Sequence, residues 1–427
     1  MKYYAVLGSQ YGDEGKGKLL DWLMTNGDVC IRFNGGSNAG HTIVVNDIKY
    51  HTHVLPSGLI HNHTLNIMGN GMVIGIDNLL NEIKDLKSKG VDIINRLLIS
   101  DRAHVVLSVH KELDTINGGS IGTTKQGIGP SYSSKSNRTG FRVCDLVSEK
   151  WMEKLEKCYK NYVYYFDETK LKTLMENDIK LINESMEIFK QSVVNVVDYL
   201  YKYSLCKENL NKTIVFEGAN AVMLDIDHGT YPFVTSSSCT TAGVFTGSGI
   251  NSTDFYKNDY EIIGVMKAYI TRVGNGKLIT ESEDEGKIMQ KVGGEIGVTT
   301  GRMRRCGWLD LVQMRYSINI NGYTHLNITK MDVLSEFDKI YIANSYRHSI
   351  TNENVDTYPA DENDLHYLEP IYTQLDGWKG YDISTAKTYD DLHPNVKNYI
   401  KIIESHLRVP IKYINTGQER LQMIIKE

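Results

Sequence analysis

Short apolar runs and segments of helical periodicity alternate along this chain. The run YYAVLG (3–8) suits a buried strand, and GKLLDWLMTNG (17–27) then places leucines at helical spacing before a closing glycine. The alternation continues through predicted strands or strand-to-loop segments at 29–35, 64–71, 95–101, 212–220, 260–276, 325–334 and 409–417, with helices at 76–90 and 394–407. This pattern is typical of an α/β fold, so we expect a large, mostly parallel central sheet flanked by helices.

The segment between about residues 148 and 206 departs from this alternation because it predicts two longer helices. They contain EKWMEKLEKCYKNY (149–162) and SMEIFKQSVVNVVDYLYKY (185–203). We find no internal repeat and no low-complexity linker that would mark a domain boundary. The sequence therefore predicts one large domain over residues 1–427, with functional insertions.

Composition and charge narrow the class of protein. The 427 residues are 41% hydrophobic, and a net charge of −5 lacks the basic excess of nucleic-acid or membrane-surface proteins. No apolar run is long enough for a membrane helix or a signal peptide. The six cysteines are scattered without a CxxC pair, so free thiols are expected rather than disulfides or a zinc site. We therefore expect a cytoplasmic protein that binds anionic ligands through local basic groups.

The stretch GSQYGDEGKGK (8–18) has the features of a phosphate-binding loop. It follows a predicted strand and opens a predicted helix, so backbone N–H groups and the helix dipole would meet an anion there. It is not a Walker A loop, because Lys16 is followed by Gly17 rather than by Ser or Thr. Asp13 could replace the missing hydroxyl as a magnesium ligand. The alternative is a glycine-rich turn with surface charges, which seven residues of the form G-D-E-G-K-G-K in this position disfavour.

Two further motifs suggest nucleotide and carboxylate chemistry. TKMD (329–332) ends a hydrophobic strand and is similar to the element with which GTPases recognise guanine, since Asp332 can accept from two adjacent guanine donors. A capped strand end is the alternative. VTTGRMRRC (298–306) sets three arginines beside two threonines before a predicted helix at 307–314, and arginine binds carboxylates in bidentate fashion. A solvated basic face is the alternative there.

Longer segments resemble one known family. QYGDEGKGKLLD (10–21) and GIGPSYSSKSNRTGFR (127–142) are similar to the two signatures of adenylosuccinate synthetases. The similarity extends in order through FNGGSNAGHT, IGTTKQGIGP, FEGAN, LDIDHGTYPFVTSS, TTGRMRRCGWLD and TKMD. The resemblance implies a GTP-dependent ligase of purine (AMP) biosynthesis and salvage that requires Mg²⁺. GTP would phosphorylate the 6-oxygen of IMP, and the amine of L-aspartate would then displace that phosphate to give adenylosuccinate, GDP and phosphate.

The resemblance also implies roles for individual residues. Asp13 is the base that removes the N1 proton of IMP, His41 is the acid, and Lys16 stabilises charge on the transferring group. Asp13 and the carbonyl of Gly40 are the implied magnesium ligands. The implied GTP-binding residues are Gly12, Asp13, Glu14, Gly15, Lys16, Gly17, Lys18, Gly40, His41, Thr42, Arg304, Lys330, Met331, Asp332, Asn415, Thr416 and Gly417. The implied IMP-binding residues are Asp13, Glu14, Gly15, Lys16, Asn38, Ala39, Gly40, His41, Thr124, Arg138, Asn220, Thr235 and Arg302. The implied aspartate-binding residues are Val298, Thr299, Thr300, Gly301, Arg302, Met303 and Arg304.

Assembly and three departures from the family pattern complete the expectations. The resemblance implies a homodimer in which Arg138 reaches the IMP site of the neighbouring subunit. Asn220 stands where relatives usually carry glutamine, Met303 where many carry arginine, and Gln418 where the second guanine loop usually has proline. The competing functions are a GTP-controlled switch protein and a catalytically dead homologue kept as a binding module. The missing Walker hydroxyl disfavours the switch, and the intact Asp13 disfavours the dead homologue.

Overall fold

The computed structural model describes residues 1–45, 48–119, 122–296, 301 and 303–427. The strands, in chain order, are β1 (Lys2–Gly8), β2 (Val29–Gly35), β3 (His41–Val45), β4 (Ile48–Thr52), β5 (Leu65–Gly75), β6 (Leu97–Ser100), β7 (His104–Val106), β8 (Val193–Val194), β9 (Thr213–Glu217), β10 (Asp259–Lys267), β11 (Ile270–Arg272), β12 (Arg305–Gly307), β13 (Leu309–Asp310), β14 (His325–Thr329), β15 (Lys339–His348), β16 (Asn354–Val355), β17 (Leu368–Asp376), β18 (Ile411–Asn415) and β19 (Met423–Ile425).

The α-helices are α1 (Lys16–Met24), α2 (Ile76–Ser88), α3 (Ser108–Asn117), α4 (Ile128–Ser136), α5 (Val143–Leu146), α6 (Trp151–Tyr159), α7 (Glu168–Ser192), α8 (Val196–Leu205), α9 (Thr241–Ser248), α10 (Ser252–Lys257), α11 (Asp284–Gly293), α12 (Leu311–Asn321), α13 (Glu362–Leu365) and α14 (Pro394–Leu407). Short 3-10 segments lie at Ser57–Ile60, Ile94–Arg96, Lys160–Tyr162, Lys207–Asn209, Val222–Leu224, Val333–Glu336 and Ile383–Thr385. Within the described ranges, no helix combines the length and the apolarity needed to cross a bilayer.

One sheet organises the molecule and confirms the predicted α/β class. Its strand order is β19-β18-β14-β10-β1-β9-β2-β5-β6-β8, with β7 also paired to β5. The neighbouring strands run parallel except for the edge pair β18 and β19. Because β1 lies in the middle, the loop that follows it lies at the centre of the sheet's carboxyl edge, where ligands of open α/β sheets bind.

The apolar runs are continuous because both faces of the central strands are covered. Along β1, Tyr3, Ala5 and Leu7 pack into the largest hydrophobic core. Val6 points to the opposite face, where it packs with Leu19 and other apolar residues of α1. Helix α1 is thereby fixed against the sheet, and its first turn lies close to the carboxyl end of β1.

Insertions extend from this sheet. A smaller sheet contains β13, β15, β16 and β17, while β3 with β4 and β11 with β12 form two antiparallel pairs. Strand β3 begins at His41, and strand β12 begins directly after Arg304. These insertions therefore bring predicted site residues to the carboxyl edge.

Two predicted helices are wrong in extent. The predicted helix at 185–203 is interrupted, because Val193–Val194 pairs with the edge strand β6 and Asn195 then caps α8 by accepting from the backbone N–H of Asp198. The predicted helix at 307–314 begins only at Leu311. Asp310 belongs to β13 and accepts from the first backbone N–H groups of α12. In both places an N-cap side chain and a strand pairing override the apolar periodicity.

Candidate active site

Two adjoining cavities lie at the carboxyl edge of the sheet, with volumes of about 370 and 330 Å³. Predicted site residues on the larger cavity are Gly12, Asp13, Gly15, Lys16, Gly17, Asn38, Ala39, Gly40, His41, Thr42, Thr124, Asn220, Arg304 and Lys330. Those on the smaller cavity are Asn38, Thr124, Asn220 and Thr235. Since Asn38, Thr124 and Asn220 line both, the cavities form one cleft with the phosphate loop at one end.

Glu14 supports the phosphate loop from beneath. Its side chain is fully buried, and its carboxylate accepts from the backbone N–H groups of Gln10 and Gly12 at 3.2 and 2.8 Å. The other carboxylate oxygen accepts from Lys16 Nζ at 2.9 Å. Lys16 also donates to the backbone carbonyl of Asn220 at 2.8 Å. Of the two acidic residues in the loop, Glu14 therefore has a supporting position beneath it.

Asp13 has the opposite environment, because its side chain lines the cleft and remains 39% exposed. Its backbone lies in the left-handed region at φ 60° between two positive-φ glycines, Gly12 and Gly15. Arg304 Nε donates to Asp13 Oδ2 at 2.8 Å. The turn thus directs one carboxylate out of the loop, and the guanidinium fixes its orientation.

His41 is held by a buried glutamate that sequence reasoning missed. Its Nδ1 lies 2.7 Å from Glu217 Oε1, and Glu217 also accepts from the backbone N–H and the hydroxyl of Ser57. Burial alone would raise the pKa of Glu217, but His41 and Arg32 outweigh burial and lower it to about 2. Burial lowers the pKa of His41. Glu217 ends β9 in the FEGAN motif, and that position at the carboxyl edge is the signal that could have identified it.

The polar side chains of the smaller cavity form a connected group. Asn38 Nδ2 donates to Thr235 Oγ1 at 3.2 Å and lies 3.5 Å from Asn220 Oδ1. Asn220 has φ 62°. Asparagine tolerates this left-handed region better than glutamine does. The backbone conformation therefore gives a physical reason for asparagine at this position.

Most of the residues expected around guanine lie outside this cleft. Lys330 lines the larger cavity, but Met331, Asp332, Asn415, Thr416 and Gly417 line neither. Met331, Asn415 and Thr416 have buried side chains, so a ligand would meet chiefly their backbone.

Lys18 connects the phosphate-loop helix to the second guanine loop. Its Nζ donates to the carbonyls of Gly417 and Gln422 at 2.8 and 2.7 Å. Burial lowers the pKa of Lys18 to about 8, against the opposing influence of Asp332 and Glu419. The loop that lacks the usual proline is thus held to α1 by this ammonium group and by the ion pair between Arg420 and Asp21.

Only the base of the predicted aspartate loop can be described. Val298, Thr299, Thr300 and Arg302 lie outside the described residues, whereas Gly301 has φ 64° and Met303 is exposed. Ile296 pairs with Met303 in an antiparallel bridge. Arg304 follows directly and lines the cleft.

Arg138 lies away from the cleft. It is exposed, has φ 63° at the end of α4 and lines neither cavity. Its position therefore differs from that of Thr124 and Thr235, which face the smaller cavity of their own chain.

Comparison with known proteins gives a consistent result. Residues 5–424 match the sequence model of the family described as adenylosuccinate synthetase. The chain is 45% identical to adenylosuccinate synthetases of Candida dubliniensis and Candida albicans, with 99% of each chain covered. The solved structure of fully ligated adenylosuccinate synthetase from Plasmodium falciparum superposes with a TM-score of 0.90 at 39% identity, covering 99% of both chains. A cyanophage S-2L succinoaminodeoxyadenylate synthetase, at 20% identity and a TM-score of 0.62, shares the fold over 99% of this chain and 95% of its own.

Proposed function

Because this chain belongs to the adenylosuccinate synthetase family, it joins IMP to L-aspartate with GTP as co-substrate in purine biosynthesis, and we propose that it does so in the cleft described above. The observation that supports this location best is the meeting of Asp13, Lys16 and His41 on one cavity. They come from two different loops, yet all three follow strands that end at the same edge of the sheet.

Asp13 is the proposed base for the N1 proton of IMP. A general base must reach its proton within hydrogen-bond distance, and Asp13 is the loop carboxylate that lines the cleft. Glu14 is fully buried and bound to the loop itself, which leaves it unsuited to this role. The bond from Arg304 holds the Asp13 carboxylate in one orientation before the purine arrives.

His41 is the proposed acid that donates to the transferring phosphoryl group. Glu217 is ionised and accepts the proton on Nδ1, so Nε2 is the ring nitrogen left for the substrate. Burial favours the neutral ring in the free protein, whereas a phosphoryl anion beside Nε2 would favour the charged one. The substrate itself would thereby charge the acid.

Lys16 and the start of α1 are the proposed phosphate site. The helix begins at Lys16, so its first backbone N–H groups and its dipole face the cleft. An ammonium group carries three donors, and Glu14 and the carbonyl of Asn220 account for two of them. The third N–H donor of the ammonium group is available for a phosphate oxygen.

Magnesium fits the donors that the chain offers. In the described part of the chain, no three Asp, Glu, His or Cys side chains lie close enough to form an all-protein metal site. Asp13 and Gly40 line the same cavity. Mg²⁺ commonly binds one or two protein oxygens together with phosphates and water, so the Asp13 carboxylate and the Gly40 carbonyl are the proposed ligands. When bound, the ion would neutralise phosphate charge during transfer.

Recognition of the three substrates is divided between the cleft and the residues beside it. We assign IMP to Asn38, Thr124, Asn220 and Thr235, which share the smaller cavity. The carboxylates of L-aspartate are assigned to Arg302, by resemblance, and to Arg304. Guanine is assigned to Lys330 and Asp332, with the backbone of Asn415–Gly417.

The proposal includes a homodimer and a cytoplasmic location. Arg138 lies outside the cleft of its own chain on an exposed helix end, which suits a residue that serves a neighbour's IMP phosphate. A homodimer would complete each IMP site with one arginine from the partner.

One assay tests the site as a whole. Phosphate release from GTP is measured with IMP and L-aspartate each omitted in turn, for wild type and for Asp13→Asn. We expect release only with all substrates present, and a loss of about 10²–10⁴ in the variant. GTP hydrolysis that is indifferent to IMP and L-aspartate would instead favour a GTP-controlled switch.

A further inference from the structure

Glu295 is the centre of a buried charge cluster behind the cleft. Its side chain is 1% exposed, and its Oε2 accepts from Lys267 Nζ at 2.8 Å and from Arg304 Nη1 at 2.7 Å. Its Oε1 accepts from the hydroxyl of Tyr269 at 2.6 Å. Burial would raise the pKa of Glu295, but Lys267 leads the groups that lower it to about 2. The carboxylate is therefore ionised and fully engaged.

Arg304 is attached to Glu295 through its backbone as well as its side chain. The backbone N–H of Arg304 donates to the carbonyl of Glu295 at 3.0 Å, and the bridge between Ile296 and Met303 lies next to this bond. The Gln290 side chain further donates to the carbonyl of Arg304 at 2.7 Å. Backbone bonds therefore hold Arg304 next to Glu295 in addition to the ion pair between their side chains.

The same cluster is joined to the phosphate loop. Gln10 Nε2 donates to the carbonyl of Tyr269 at 3.1 Å, and Gln10 Oε1 accepts from the backbone N–H of Lys267 at 3.0 Å. Gln10 lies three residues before Asp13 in the loop. The two residues that donate to Glu295 from β10 and the segment after it are therefore also hydrogen-bonded to the phosphate loop.

The guanidinium of Arg304 connects this cluster to the reacting carboxylate. One guanidinium nitrogen is bound to Glu295, while Nε donates to Asp13 at 2.8 Å. Because Nε is bound to Asp13 and Nη1 is bound to Glu295, the plane of the guanidinium is fixed between two carboxylates. Nη2 is then the guanidinium nitrogen that is directed at neither carboxylate by these two bonds.

We propose that Glu295 is a positioning residue for L-aspartate recognition, because it fixes the orientation of the Arg304 guanidinium at the wall of the cleft. The inference rests on the proposed function, in which Arg304 contacts an aspartate carboxylate. Neither Glu295 nor Lys267 lines the larger cavity, so both act through Arg304 rather than on substrate.

The test is Glu295→Gln, which keeps the shape of the side chain and removes its charge. We expect the KM for L-aspartate to rise about ten- to a hundredfold, the size expected for a lost charge-assisted bond. The KM for IMP should stay within about threefold, because Arg304 does not line the smaller cavity, to whose side chains IMP is assigned. The matched control is Glu261→Gln. Glu261 is also buried and also accepts from a lysine and a tyrosine, Lys412 and Tyr413, but it lies near the opposite end of β10.

A double variant separates positioning from stability. Glu295→Gln leaves Lys267 buried without its anionic partner, so the melting temperature should fall. Adding Lys267→Gln should restore much of the melting temperature while the KM for L-aspartate stays raised. Recovery of that KM together with stability, or an equal rise in Glu261→Gln, would overturn the inference. A wild-type enzyme whose phosphate release does not depend on L-aspartate would overturn the proposed function as well, and the two failures are therefore distinguishable.

Discussion

His41 Nδ1 and Glu217 Oε1 lie 2.7 Å apart, and both side chains are buried, with His41 at the wall of the cleft. A carboxylate in this position fixes both the orientation of the imidazole and the nitrogen that carries the proton. Glu217 is itself fixed by the backbone N–H and hydroxyl of Ser57. The acid proposed for phosphoryl transfer is therefore held in place by residues that do not themselves react.

Glu217→Gln should lower turnover about a hundredfold or more while the fold persists. The amide can present its N–H to His41 Nδ1, which would favour the wrong tautomer, and the loss is of the size expected for general acid catalysis. Steady-state kinetics and circular dichroism measure the two effects. Ser57→Ala, which removes one donor to Glu217 but leaves the pair with His41, should cost less than tenfold. Equal losses in the two variants would argue against a special role for the pair.

Asn220 offers a comparison of backbone and side chain at one position. Asn220→Gly accepts φ 62° without strain but removes the amide, so the KM for IMP should rise while thermal stability changes little. Asn220→Gln keeps an amide but places a less suited residue in the left-handed region, at a cost of about 1 kcal/mol. Thermal melts and IMP titrations separate these outcomes. An unchanged KM in Asn220→Gly would remove the amide from IMP recognition.

Mixing two inactive variants tests whether Arg138 serves the partner's site. Asp13→Ala and Arg138→Leu should each give nearly inactive homodimers. In a mixed dimer, one site combines an intact Asp13 from one subunit with an intact Arg138 from the other. Random exchange makes about half of the dimers mixed, so activity should recover to roughly a quarter of wild type. Confirmed heterodimers without recovery would place Arg138 in its own subunit's site, or outside any site.

The free energy of unfolding should decrease in mildly acidic solution because His110 is buried. Its Nδ1 accepts from the backbone N–H of Leu107, and its Nε2 pairs with the hydroxyl of Tyr162, so a second ring proton would face an N–H donor. Burial lowers the pKa of His110 from 6.5 to about 3. Between about pH 6.5 and 3, His110 binds a proton in the unfolded chain but not in the folded chain. The free energy of unfolding therefore decreases as the pH falls through this range.

The folded and unfolded chains differ by at most one bound proton at His110. The free energy of unfolding therefore changes by at most about 1.4 kcal/mol per pH unit from this residue. His110→Gln should therefore reduce the slope of unfolding free energy against pH by about one proton between pH 6 and 4. Denaturant titrations at several pH values measure that slope, and it does not depend on how much the substitution itself destabilises the protein. Parallel wild-type and variant curves would exclude His110 as the source.

The local pattern of apolar residues predicted the strands of the sheet better than it predicted the side-chain contacts. The strands Val29–Gly35 and His325–Thr329 were predictable because apolar runs of that length need burial on both faces. The role of Glu217 was not predictable, because a glutamate at a strand end can be assigned a role only once His41 is known to lie beside it. The contact between Asp13 and Arg304 spans 291 residues of sequence and depends on where two loops meet. The break at Val193–Val194 was likewise hidden, since it depends on pairing with β6 rather than on local propensity.

The position of the Lys18 ammonium group has a consequence for the length of nucleotide that the protein can bind. Lys18 belongs to the first turn of the helix that begins the phosphate site, yet it grips two carbonyls of the loop assigned to the guanine base. Together with the ion pair between Asp21 of the same helix and Arg420, Lys18 fixes the distance between the loop assigned to guanine and the proposed phosphate site. A nucleotide of the wrong length would meet a mismatch even if its base and its phosphates were each acceptable, and selection by length would accompany selection by chemistry.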